Sequence, residues 1–570
     1  MKKILALILS SFFILSGCFS NSCASFDAFT NSLFCEELSS NTLNLHYTLV
    51  DASAYGISDY RVTLGDFSKK ARDSSESQLS ETYNKLMKIN RDSLSDKQKL
   101  DYDVLKDYLV NQIALSKYSL YDEILSPSNG IHAQLPILLS EYKFRSFSDI
   151  EEYFLLLSDI DSYYNQVLEF EKEKSEKGLF MCDKFCLEVI NECKAFISKT
   201  DNNILISSFA RRLDKLPSLT SSEKKQYSST NLKLFTNHVI PAYNKLIQGL
   251  TSLLGTGHNT GGICKLPDGK NYFSLLAQSS IGSNKSVNEI YKQIEKQRQE
   301  DLAVLNRLSS ESLTYTDLSS VKLPFKTQKQ MLSALQEAIT DLFPKACQTN
   351  CSLCPVDSSL SDSLAPAFYI TAPYDSYKDN SIYVNSASDY DDLSLFTTLA
   401  HEGYPGHLYQ TVMSYNYGLS PIRSILNYEG YTEGWATYVE MQAYHYAGLE
   451  EDTAAFFQKN QAITLSLYAS SDIGIHYYGW DFNKLLDFWS QYGISDPETI
   501  EQIQDYITSS PANYLKYYVG YLEFLNIKKI AQKKYGDSFN AIKFHKALLQ
   551  IGPAPFDIIN KYLDEYYNNA

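Results

Sequence analysis

Two histidines and a glutamate stand close together in TTLAHEGYPGHLYQ, Thr397 to Gln410: His401, Glu402 and His407. Imidazole nitrogens are zinc donors, and a glutamate beside a histidine ligand can act as general base towards water. The spacing is unusual. Each residue of a regular helix turns about 100°, so a six-residue step sets the two imidazoles roughly 120° apart. Regular geometry cannot bring both to one ion. Pro405 removes a backbone donor and clashes with the preceding turn, and Gly403 and Gly406 tolerate unusual dihedrals. These residues predict a distorted helix in which Gly403 to Gly406 loop out and return His407 to the metal. The third ligand is expected from Glu433, in NYEGYTEGWATYVE. It follows His407 at a distance that allows a connection and a second helix laid against the first. Two histidines and one glutamate leave a fourth zinc position for water, with Glu402 beside it as base. Glu429 and Glu440 flank Glu433. Either could orient a histidine, and Glu429 is also a rival ligand. A His-Glu pair alone specifies little. Only nine histidines occur in 570 residues, which makes two of them around a helix-breaking Gly-Tyr-Pro-Gly harder to dismiss.

HEGYPGH together with EGYTEGWATYVE resembles the bacterial family called domain of unknown function 885, whose members are grouped with zinc metallopeptidases of the gluzincin type. That broad group includes angiotensin-converting enzyme and thimet oligopeptidase. The resemblance runs from about Tyr55 to Tyr567. QLPILLSEYKFRSFSDIEEYFLLLSDI and FEKEKSEKGLFMCDKF look like the family's N-terminal half; DIGIHYYGW and PANYLKYYVGYLEF look like its C-terminal half. The resemblance implies a signature of the form HExxPGH, with His401, His407 and Glu433 as zinc ligands and Glu402 as base. It further implies that His476 and Tyr517, in the later motifs, stabilise the oxyanion, and that Arg423 and Tyr431 contact substrate.

Most elements that must position these residues read as helices. Leu100, Val104, Leu105, Tyr108, Leu109 and Ile113 follow the helical period. Ser148 and Glu151 read as a capping box before a helix over Ile150 to Phe170, with Gly178 beyond its end. Leu522, Phe524, Leu525, Ile527, Ile530 and Ala531 form another apolar stripe, closed by Gly536. Loops are expected at 217–230 and 346–365. AFYITAPYDSYKDNSIYVN, Ala367 to Asn385, is β-branched and aromatic with a Lys-Asp-Asn turn, and reads as a hairpin. A strand edge beside the metal helix would suit pairing with a peptide backbone; a purely structural hairpin is the other reading. A helix then runs from about Asp391 into the histidine motif.

Lys2 and Lys3 precede an apolar run, Ile4 to Leu15, that is too short to span a bilayer. LSGC, Leu15 to Cys18, resembles a bacterial lipobox, so residues 1–17 read as a signal peptide and Cys18 as the lipidated residue. Residues 18–55 are Ser/Asn/Thr-rich and read as a tether. Residues 56–570 read as a single helical unit, roughly an N-terminal half over 56–345 and a metal-bearing half over 366–570. Of ten cysteines, nine remain after Cys18, and an exported chain can keep disulfides. CQTNCSLC has the CxxxCxxC spacing of iron–sulfur enzymes, but no strand–helix barrel pattern surrounds it, and a disulfide-pinned loop is expected there. Hydrophobic residues at 44% and charged residues at 21% permit a buried core. The net charge of -16 and the lack of a basic stripe argue against a nucleic-acid partner.

These readings converge on a mainly α, zinc-peptidase-like fold with a deep cleft and a small hairpin beside the metal helix. The expected function is a membrane-anchored, extracytoplasmic zinc peptidase acting on short peptides. The rival functions are a non-catalytic peptide-binding lipoprotein and a zinc amidase acting on cell-wall peptides.

Overall fold

Apolar residues recurring at three- and four-residue intervals fold most of this chain into helices. A computed structural model describes residues 22–198, 203–257, 261–311, 321–356, 365–385 and 391–569. The architecture is mainly α, with a three-stranded sheet among the described residues. No described helix is long and apolar enough to cross a membrane.

The described chain divides into two compact units, 22–89 with 112–257, and 90–111 with 261–569. The sequence suggests halves parting near 345; these units part between 257 and 261. The segment Asn90–Asn111 belongs with the later residues, because Asp101 and the Val104 carbonyl are taken up there by Arg423 and Tyr428.

In the first unit, the helix Phe147–Glu176 buries Ile150, Tyr153, Leu157, Ile160, Tyr164, Val167 and Phe170 along one stripe. Its cap lies two residues before the expected one: Asp149 accepts from the Ser146 amide at 2.6 Å. The described part of the expected tether is structured as well. Ser22–Ser39 is a helix, and Phe26, Phe29, Leu33, Phe34 and Leu38 are buried. Serine-rich composition masked an apolar residue on nearly every turn. The expected loop over 217–230 is mostly the helix Ser221–Leu234, started by a Thr220–Glu223 capping box. Cys18 lies outside the described residues.

In the second unit, β1 (Asn350–Pro355), β2 (Ala367–Ile370) and β3 (Asp379–Val384) lie in the order β1-β3-β2. β2 and β3 pair antiparallel, as the hairpin reading requires. Their connection holds the short helical turn Tyr374–Ser376, while Asp379 and Asn380 of the expected turn already belong to β3. β1 pairs parallel with β3 inside the expected 346–365 loop. Cys347, Cys351 and Cys354 form no disulfide, so the disulfide-pinned loop is corrected to a strand. Cys351 and Cys354 stand three residues apart on β1, and alternation turns them to opposite faces.

Four helices carry the candidate site. They are α1 (Asp392–Glu402), α2 (His407–Asn416), α3 (Glu429–Ala443) and α4 (Asn513–Tyr535). α3 and α4 meet backbone to backbone: a Cβ at Gly434 would lie 2.5 Å from the Gly520 carbonyl carbon. Only hydrogen at both positions permits this approach, which fixes the register of the acidic residues of α3 against Lys516 and Tyr517 of α4.

Candidate metal centre

α1 begins at Asp391, whose side chain accepts from the Ser394 amide at 2.9 Å, and it stops at Glu402. Gly403 ends it and Gly406 precedes α2, so the chain makes two helices where a single distorted one was expected. The break brings the two histidines back to one another. The Tyr404–Pro405 peptide is cis. The Pro405 carbonyl accepts from Trp435 Nε1 of α3 at 2.8 Å. Gly406 folds back onto the end of α1, where an added Cβ would lie 1.8 Å from the His401 carbonyl oxygen. His407 therefore opens α2 within reach of His401: their ring centres are 4.8 Å apart and nearly perpendicular.

Glu433 closes the set from α3. Its Oε2 lies 3.2 Å from His407 Nε2 and 3.5 Å from His401 Nε2. Zinc–ligand distances of about 2.0–2.2 Å place tetrahedral donor atoms roughly 3.3–3.6 Å apart. The carboxylate oxygen thus sits from both imidazoles at about the spacing that a shared ion imposes. Glu402 is also close, since His401, Glu402 and His407 each bring a donor atom within 4.8 Å of the others. The choice between the two glutamates rests on partners. Glu402 Oε2 accepts from the Tyr369 amide at 2.8 Å, whereas Glu433 touches both rings. Glu433 suits the ligand and Glu402 the neighbour.

Glu440 settles the orientation of His401. Its Oε2 lies 2.8 Å from His401 Nδ1, so a proton on Nδ1 leaves Nε2 facing Glu433. Glu429 points to a different partner, Lys516, at 3.4 Å. The electrostatics follow from this packing. Burial opposes charge on His401, but Glu433 and Glu440 raise its pKa well above the ordinary histidine value. Burial likewise opposes charge on Glu433, yet His407 and His401 hold its pKa well below the carboxylate range. These opposed shifts are those of an ion pair, an imidazolium against a carboxylate, and a metal would have to displace the imidazole proton to bind there.

Tyr517 stands beside this cluster, its ring centre 6.3 Å from that of His401. Burial, then Glu433, Glu429 and Glu402, push its hydroxyl pKa well above the ordinary value. It therefore remains a hydrogen-bond donor. The other three expected residues have structural roles. His476 is fully buried; its Nδ1 accepts from the Ile263 amide at 3.2 Å and its Nε2 meets the Ile507 carbonyl at 3.0 Å. No ring nitrogen is left for an oxyanion. Arg423 is buried against Asp101 at 3.1 Å and the Ile551 and Pro553 carbonyls at 2.9 and 2.6 Å. Tyr431 is buried and donates to the Leu548 carbonyl at 2.7 Å. Both tie chain segments together and do not face substrate.

Burial lowers the His476 pKa to about 4, from 6.5. The unfolded chain therefore takes up this proton first as pH falls. The stability contributed by neutral His476 is complete above about 6.5 and is lost as pH drops towards about 4. Thermal melting should accordingly fall more steeply over that window in the wild type than in His476→Gln. Parallel profiles would assign the acid sensitivity elsewhere.

Two contributors escaped the sequence reading. The Tyr369 amide is a backbone group and carries no residue signature. Lys516 was legible only as the residue before Tyr517.

The profile of the family described as bacterial protein of unknown function (DUF885) matches residues 50–563. The chain belongs to this family. A crystal structure described as that of "the putative lipoprotein from Colwellia psychrerythraea" is similar at 18% identity and a TM-score of 0.84, covering 96% of this chain and 100% of that one. A second, "a putative lipoprotein of unknown function from Shewanella oneidensis", is similar at 16% identity and a TM-score of 0.66, covering 95% and 99%. At these identities the likeness is one of fold. No curated protein matches the chain. The sequence resemblance to DUF885 stands as membership; its gluzincin chemistry belongs to the proposal below.

Proposed function

We propose that this DUF885 protein is a zinc-dependent peptidase that hydrolyses short peptides outside the cytoplasm, anchored by lipid on Cys18. The observation that carries the reading is Glu433 Oε2, seated 3.2 and 3.5 Å from the two imidazole Nε2 atoms with Glu402 alongside. A zinc ion held by His401, His407 and Glu433 would lower the pKa of water and polarise a carbonyl.

The remaining steps belong to the chain's own groups. The Tyr369 amide fixes Glu402 Oε2, which leaves Oε1 to take a proton from the attacking water and pass it to the departing nitrogen. The Tyr517 hydroxyl donates to the oxygen on which negative charge develops. β2 supports peptide alignment. The Asn385 amide donates to the Pro366 carbonyl at 2.8 Å, and ladder alternation then turns the carbonyls of Ala367 and Tyr369 away from β3. That edge offers acceptors to an extended backbone. β2 has four residues, a length matched to a short peptide. The LSGC motif and the two lipoprotein-described structures support the anchor.

A peptide-library assay on the purified protein tests the reading. Cleavage should be abolished by a chelator and restored by zinc, and the same chelator should lower the melting temperature. Cleavage indifferent to chelation would refute the zinc mechanism. Binding of library peptides without cleavage would favour a receptor, and cleavage confined to cell-wall peptides an amidase.

A further inference from the structure

Lys516 is a buried cation that the chemistry above leaves unused. Its side chain is 4% exposed and its ammonium lies 3.4 Å from Glu429 Oε2. The same ammonium is 5.3 Å from the Tyr517 ring centre and is among the positive charges acting on Glu433. Glu429 opens α3 and stands one turn before Glu433, so the two carboxylates share a helix face. The Gly434–Gly520 approach fixes the α3–α4 register in which Lys516 meets Glu429. A Glu429 side chain released from Lys516 and swung one turn along α3 towards Glu433 would add a carboxylate donor to the two imidazoles and Glu433. A four-coordinate zinc that took all four would keep no position for water.

The geometry points to Lys516 as a positioning residue: it holds Glu429 in an ion pair and leaves Glu433 alone to meet His401 and His407. This rests on the metal site proposed above. Lys516 touches no substrate in this role. It acts by withholding a competing carboxylate.

The test uses cobalt as a spectroscopic substitute for zinc, together with peptide turnover, in four proteins: wild type, Lys516→Met, Glu429→Gln and the double variant. Lys516→Met keeps most of the side-chain volume and removes the charge. It should retain metal, change the visible cobalt spectrum, and lose about 10- to 100-fold in turnover. The double variant should recover the wild-type spectrum and most of the turnover, because glutamine is a poor competitor for the ion. Such rescue would not follow if Lys516 only filled space. Glu429→Gln alone should keep wild-type metal content and spectrum, and metal loss there would overturn the inference even if Lys516→Met does not fold. A wild-type spectrum in folded Lys516→Met, no rescue in the double variant, or metal loss in Glu429→Gln would each overturn the inference. A wild type that binds neither cobalt nor zinc would instead overturn the metal site itself.

Discussion

Replacing Glu402 by glutamine lowers peptide turnover by at least about a hundredfold while zinc content stays at the wild-type level. The two halves of this expectation come from different contacts. Glu402 holds the Tyr369 amide at 2.8 Å and is the proposed base, so its loss would remove proton transfer. Glutamine keeps an oxygen to accept from that amide and leaves α1 undisturbed. Under the proposed ligand set of His401, His407 and Glu433, metal retention follows. Turnover retained in Glu402→Gln would remove the base from the mechanism. Joint loss of zinc and activity would make Glu402 a ligand, as its proximity to both histidines permits.

The second large effect is expected at a residue without a side chain. Gly406→Ala should lower turnover about a hundredfold and weaken zinc binding, with helical content unchanged. An alanine Cβ there would sit 1.8 Å from the His401 carbonyl oxygen and 2.3 Å from that of Ala400. The last turn of α1 or the first residue of α2 must then move by an ångström or more. Misplacement of about 1 Å costs on the order of 10²-fold in a preorganised site. His401 and His407 lie on either side of that contact, so the displacement reaches both. Circular dichroism reports the fold, and titration with a chromophoric chelator reports the zinc affinity. Wild-type affinity in Gly406→Ala would mean that the backbone break tolerates what its geometry forbids.

Sequence order carried the meeting of His401, His407 and Glu433 well and its surroundings poorly, for physical reasons. The six-residue step from His401 to His407, with glycine and proline between, can serve one ion only if the helix breaks, and it does. Glu433 was reachable because a separate helix had to bring a carboxylate to the two imidazoles. The spacing did not reveal that the helix stops and restarts, because that depends on Gly406 packing against α1 carbonyls. Arg423, Tyr431 and His476 went astray for a common reason. A residue type suited to recognition is equally suited to satisfying buried carbonyls, and only packing distinguishes the uses. The Glu440 contact to His401 and the Lys516 contact to Glu429 divide two carboxylates that the sequence left equivalent. Helices with apolar stripes, such as Asp96–Ser116 and α4, were legible from periodicity. Ser22–Ser39 was not, because polar composition outweighed its phenylalanines and leucines.

The most direct test is equilibrium zinc binding by the wild type and by Glu433→Ala. The wild type should hold one zinc per chain at a tight site, and Glu433→Ala should bind it at least tenfold more weakly while remaining folded. Tight binding left intact by Glu433→Ala, or a wild type that takes up no zinc, would contradict the convergence of His401, His407 and Glu433 on a single ion.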